Sequence, residues 1–196
     1  MKRRTVCWAL GLLPPLVRAD TLSDIGKRLH QPALARGRFE QERWVSGFAK
    51  PIKSTGDYLL LRGKGLIWRT LTPFASQLAL TREAIRGDAV QLEASKEPSV
   101  RVVTQLMLAL LDGDLVALGA QFHTQAELVG DKGWRAQLQP RHASLAKLFQ
   151  RIELDGDRQL RRIQLLETQG DRSLIRLDDQ ARAPAAPSPE EARALA

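Results

Sequence analysis

The sequence predicts a mainly β protein with helices, folded as a highly curved antiparallel sheet or incomplete barrel with the helices packed on one side. Three observations carry that prediction. About ten short stretches alternate in period two and are separated by Gly, Pro and Asp turn signals. One mid-chain stretch, Pro98 to Leu111, instead carries Val102, Val103, Leu106, Met107, Leu110 and Leu111 at helical spacing. A length of 196 residues with 43% hydrophobic and 27% charged side chains suits a single folded domain with a sizeable core.

The N-terminus stands apart from this pattern. Lys2, Arg3 and Arg4 precede an apolar stretch from Thr5 to Val17, Pro14 and Pro15 break any core helix there, and Val17-Arg18-Ala19 offers small side chains where a signal peptidase reads them. The expected division is a signal peptide over 1–19, a folded domain over 20–183 and a disordered Ala/Pro-rich tail over 184–196. Cys7, the sole cysteine, leaves with the leader, so the mature chain is expected to have no disulfide and no Cys-ligated metal. It lies too early to become a lipidated first residue, which points to a soluble exported protein without a lipid anchor.

Charge argues against nucleic acid as a partner. Removing Lys2, Arg3, Arg4 and Arg18 from the 30 basic residues leaves 26 against 22 acidic ones, a net +4. The surplus is spread over Arg36, Arg38, Arg43, Lys50, Lys53, Arg62, Lys64 and Arg69, not clustered among aromatics. No run approaches the roughly 18 apolar residues that a membrane-spanning helix needs.

Along the domain, Thr21 or Ser23 caps a short helix through Leu22, Ile25 and Leu29, bounded by Pro32. A first strand follows from Ala35, and Lys53 to Gly56 reads as a turn. Asp57–Arg62 and Leu66–Leu71 form a hairpin about Gly63-Lys64-Gly65, and Gln77–Thr81 and Val90–Ala94 continue the meander. After the Pro98–Leu111 helix and a short helical piece over Leu115–Ala120, strands resume at Phe122–Val129 and Trp134–Gln139. Pro140 opens a short helix through Leu145, Leu148 and Phe149, and Ile152–Leu154, Leu160–Glu167 and Ser173–Leu177 close the domain.

The residues that enzymatic chemistry would need are not arranged for it. His30, His123 and His142 lie far apart, and no nucleophile elbow, Walker or dinucleotide glycine pattern occurs. Glu153, Asp155 and Asp157 straddle a turn, where Asp is favoured for backbone hydrogen bonding. A protein that is not an enzyme and needs neither metal nor cofactor is expected.

The stretch from Gly56 to Trp68, with Pro73 after it, resembles the outer-membrane lipoprotein carrier (LolA-like) family. Gly56, Arg62, Trp68 and Pro73 match that family's spacing, and Phe39 and Gln41 resemble the Phe-x-Gln of its first strand. Gly63 departs from it, standing where the family usually has Pro. The resemblance implies an unclosed antiparallel half-barrel with a helical lid over an apolar cavity. It implies a monomeric periplasmic carrier of acylated lipoproteins or other lipidated cargo, with an inner-membrane transporter as donor and an outer-membrane receptor as acceptor. Some family forms are divergent paralogues, and a non-transporting lipid-sensing or assembly module on the same fold is the alternative. With Arg62 turned inward, period two brings Tyr58 and Leu60 with it, and the hairpin partner adds Leu66 and Trp68. Leu78, Leu80 and Leu92 extend that wall, and Val102, Val103, Leu106 and Leu110 form the lid. The resemblance gives Arg62 the role of a latch that bonds lid backbone when closed.

Overall fold

The computed structural model describes residues 19–29, 32–87, 91–93, 108–109, 114, 118–179 and 186–196. Among them, eleven strands form one antiparallel sheet: β1 (Leu34–Trp44), β2 (Ile52–Leu61), β3 (Gly65–Thr72), β4 (Ser76–Thr81), β5 (Ala84–Gly87), β6 (Gln91–Glu93), β7 (Phe122–Val129), β8 (Gly133–Pro140), β9 (Phe149–Gly156), β10 (Leu160–Glu167) and β11 (Arg172–Asp179). The spatial order is β6-β5-β4-β3-β2-β1-β11-β10-β9-β8-β7. The two ends of that order, β6 and β7, do not pair with each other, so the sheet is an unclosed half-barrel. Only the β1–β11 pairing joins strands distant in sequence, eight residue pairs from Gly37↔Asp179 to Trp44↔Arg172. Every other neighbour is a sequential meander partner.

Period two decides what each face buries. In β2, Gly56, Tyr58 and Leu60 point to one side, and Asp57, Leu59 and Leu61 to the other. The first side carries the main core, which includes Phe39, Leu66, Leu80, Trp134, Leu154, Ile163 and Leu177. The second side carries a small cluster of Leu59, Ile67 and Leu195 with Leu34, Leu61 and Ala194. Helix α1 (Ala19–Arg28) lays Leu22 and Ile25 on the main core, joined by Leu29 just past its end, and contacts β7. A short helix α2 (Ala143–Ala146) buries Leu145 against β8 and β9.

Several expected boundaries move. Lys53 to Gly56 belongs to β2 instead of a turn, because its backbone pairs with β1 from Arg43↔Ile52 to Phe39↔Gly56. The Ile85 region is a strand of its own, paired on both sides. Pro140 ends β8 and Phe149 begins β9, so the helix between them shrinks to one turn. The mid-chain helix lies largely outside the described residues. Leu108 and Ala109 are helical and join the main core.

The tail corrects the expectation of disorder. Helix α3 (Pro189–Ala194) follows a complete capping box, in which the Ser188 hydroxyl accepts from the Glu191 N–H and the Glu191 carboxylate accepts from the Ser188 N–H. Leu195 is 6% exposed against the outer side of the sheet. Burial of Leu195 and ion pairing of Glu191 order a segment whose composition alone reads as unstructured. Among the described residues, no helix is long and apolar enough to cross a membrane.

Candidate functional site

Two adjacent cross-strand rows lie side by side on the inner face of β1–β6. One runs Ala35, Leu60, Leu66, Leu80, Ile85, Leu92, and every member is apolar. The next runs Gly37, Tyr58, Trp68, Leu78, Gly87. Tyr58, Leu60, Leu66, Trp68, Leu78, Leu80 and Leu92 from the sequence reading therefore fall on two neighbouring rows of one face, Leu92 being placed by its backbone pairing alone. Val102, Val103, Leu106 and Leu110 lie outside the described residues.

Aromatic rings concentrate where these rows meet β1. Phe39 stacks on Trp68 with centroids 3.8 Å apart and planes at 22°, and Trp68 lies 6.3 Å from Tyr58 at 20°. Aromatic pairs add about 0.5–1.5 kcal/mol each beyond the area buried. Two glycines make the stack possible. A Cβ on Gly56 would meet the Phe39 ring at 2.6 Å, and one on Gly37 would meet the Tyr58 ring at 2.5 Å. Phe39 is thus a wall residue that the sequence reading placed in the first strand without assigning it to the site. Its pairing opposite Gly56 is the signal, and it becomes visible once register is known. Along this wall, Leu60, Leu66 and Leu80 are buried, Trp68 is half-buried and Leu78 is 36% exposed.

The other half of the inner face is packed differently. Rows Ile175, Ile163, Leu154, Ala136, Ala126 and Leu165, Ile152, Leu138, Thr124 continue it. Trp134, Ala136, Leu138, Ile152, Leu154 and Ile163 are each no more than 2% exposed, and Ile25 of α1 is fully buried among them. Here the site has been filled by the chain itself. At its rim, Lys27, Arg28, Leu29, Asp157, Arg158 and Arg161 line an open polar cleft of about 580 Å³. Burial pushes the Asp157 carboxyl up, but backbone N–H donors and Arg161 outweigh it and hold it below its ordinary value. Arg161 lies 3.2 Å from Asp157, Arg151 2.8 Å from Glu153 and Arg162 3.2 Å from Asp155, so each carboxylate of the β9–β10 hairpin has an arginine partner.

Arg62 sits exposed in the β2–β3 turn, at the parity of Tyr58 and Leu60, with its N–H donating to the Ala33 carbonyl at 3.0 Å. Gly63 has φ +73°. Proline, fixed near −65°, cannot adopt it. The departure from the family pattern is therefore a different turn.

On the outer side of the same strands, Glu191 is 7% exposed and bonded from three directions. Arg36 donates to it from Nη1 at 2.7 Å and Nη2 at 2.8 Å, and Arg69 Nη2 donates at 3.0 Å. Arg69 also reaches Asp57 at 3.1 Å and Gln77 at 3.0 Å. The hydrogen bonds from Arg36, aided by the Ser188 N–H and Arg69, overcome burial and hold the Glu191 carboxyl well below the usual carboxylate range. Bonding to Glu191 raises the Arg36 guanidinium in turn, and Arg69 is raised by Glu191 and Asp57 against the opposing effect of burial.

A family model described as outer membrane lipoprotein carrier protein LolA matches residues 33–189. No curated protein sequence matches significantly. Among solved structures, a LolA superfamily protein from Nitrosomonas europaea is 12% identical at a TM-score of 0.46, covering 86% of this chain and 95% of that one. MucB is 16% identical at a TM-score of 0.46, covering 88% of this chain and 60% of that one. A Vibrio parahaemolyticus domain described as outer membrane lipoprotein-sorting is 7% identical at 0.43, covering 84% and 93%.

Proposed function

The chain belongs to the outer membrane lipoprotein carrier protein LolA family, and from that premise we propose that it is a periplasmic carrier binding acyl chains on the inner face of β1–β6. The observation that carries this reading is the apolar row from Ala35 to Leu92, flanked by the stacked rings of Phe39, Trp68 and Tyr58. An acyl chain laid on such a wall gains about 0.8 kcal/mol for each methylene removed from water. The wall's buried members, Leu60, Leu66 and Leu80, are 0–6% exposed, so in this proposal a chain reaches them only when a cover over the wall moves aside. Binding and release are thereby coupled to motion of that cover.

The proposed cargo is a lipoprotein or another lipidated molecule, received from an inner-membrane transporter and passed to an outer-membrane receptor. Cleavage after Ala19 delivers the soluble chain to that compartment. Arg62, at the rim of the wall, is proposed as the latch on the cover. Arg62→Leu should leave the fold intact and retain a bound fatty-acid analogue on mixing with acceptor vesicles, whereas normal release would remove the latch from the account.

The test of the function is direct. Protein isolated from periplasm should yield extractable acyl lipid and should bind a fluorescent fatty-acid analogue that unlabelled acyl chains displace. A folded protein that does neither would instead act through protein contacts, as a non-transporting assembly or sensing module.

A further inference from the structure

We infer that the outer face of β1–β4 is a helix-docking groove, occupied in cis by α3 and able to accept in its place a short acidic helix from a partner protein. The groove has a charged end and an apolar end. At the first, Arg36 and Arg69 converge on one carboxylate with three hydrogen bonds of 2.7–3.0 Å. At the second, Leu59 and Ile67 are fully buried beneath Leu195. Glu191 and Leu195 are four residues apart, hence on one helical face, and a single turn presents both. Gly65 shapes the apolar end, since a Cβ there would approach Leu195 Cδ2 to 3.0 Å. The ligand this groove reads is therefore a capped helix carrying Glu at its third position and Leu four residues later.

Exchange follows from α3 being held by side-chain contacts alone. A six-residue helix has no independent stability in water, so α3 persists only through these contacts. The strands beneath it keep their own ladders when it leaves, because β1, β2 and β3 pair along their lengths without its help. Departure of α3 would take the Glu191 carboxylate from both Arg36 and Arg69, leaving Asp57, 3.1 Å from Arg69, to face two guanidiniums. That residual positive charge favours an acidic replacement. The inference stands apart from the carrier reading, because it concerns the opposite face of the sheet.

The test uses the full chain carrying Glu191→Ala and Leu195→Ala, with a fluorescent peptide of residues 186–196 as the probe. The released variant should bind the peptide, and wild type should bind it roughly tenfold more weakly or worse, its groove being filled. Adding Arg36→Ala to the variant should weaken peptide binding by roughly tenfold or more. No binding to a variant with wild-type circular dichroism, or binding indifferent to Arg36→Ala, would overturn the inference. Should the variant not fold, hydrogen exchange of wild type decides. The Ala192 and Leu195 amides, bonded to Ser188 and Glu191, should exchange roughly a hundredfold faster than that of Leu59. Exchange in step with Leu59 would show that α3 opens only with the whole sheet and would contradict the groove's being exchangeable.

Discussion

The two halves of the inner face are made from the same kind of residue and differ in how completely their aromatic and apolar side chains are covered. Around β8 to β10, Trp134, Leu138, Ile152 and Leu154 are 0–2% exposed, in the same core as the fully buried Ile25 of α1, which contacts β7. Around β2 to β4, Trp68 remains half-buried and Leu78 is 36% exposed. Leu108 and Ala109 of the mid-chain segment belong to the same core. Apolar composition alone does not define a ligand site. What distinguishes it is whether the element above the wall can leave without unfolding the sheet below.

That contrast fails or sharpens with four substitutions or conditions. Trp134→Ala removes a side chain only 2% exposed and takes the indole donor from the Asp157 carbonyl. It should destabilise the protein by about 3–5 kcal/mol in urea unfolding. A loss below 1 kcal/mol would mean that this half is not solid. Glu191→Ala, which removes the carboxylate from Arg36 and Arg69 on the outer side of the ligand half, should cost about 1–3 kcal/mol. Trp68→Ala should cost about 2 kcal/mol, since the ring is only half-buried, yet weaken binding of a fluorescent fatty-acid analogue by roughly tenfold. Equal effects of Trp68→Ala and Trp134→Ala on binding would erase the distinction between the halves.

The smallest effect is in acid. Glu191 titrates lower in the folded chain than its ordinary value of 4.5. Its contribution is therefore complete above that value and disappears as pH falls below it toward the folded pKa. The difference in stability between wild type and Glu191→Gln, followed by urea unfolding from pH 7 to pH 3, should be constant down to about pH 5 and shrink below it. A difference that grows on acidification would reverse the assignment.

Much of this fold is legible in the residues, for reasons that differ by region. The inner wall is readable because Tyr58, Leu60, Leu66 and Trp68 alternate around a short turn, and a two-residue period specifies a face without tertiary information. Phe39 was harder to place, since its part in the wall depends on lying across from Gly56, a fact of register. The docking of α1 on β7 depends on which way a helix returns over the sheet, and nothing local in Leu22, Ile25 or Leu29 encodes that. The tail misled through composition. Its Ala and Pro content reads as disorder, although Ser188 and Glu191 stand at capping-box spacing, and their decisive partners, Arg36 and Arg69, are more than a hundred residues away.

The central claim is tested most directly with a fatty acid brominated along its chain, which quenches only indoles it touches. In the mature protein, the account predicts strong quenching of the emission that Trp68→Phe removes and little quenching of that removed by Trp134→Phe. Quenching confined to Trp134, or none at either residue despite binding, would contradict an acyl site on the wall of β1–β6.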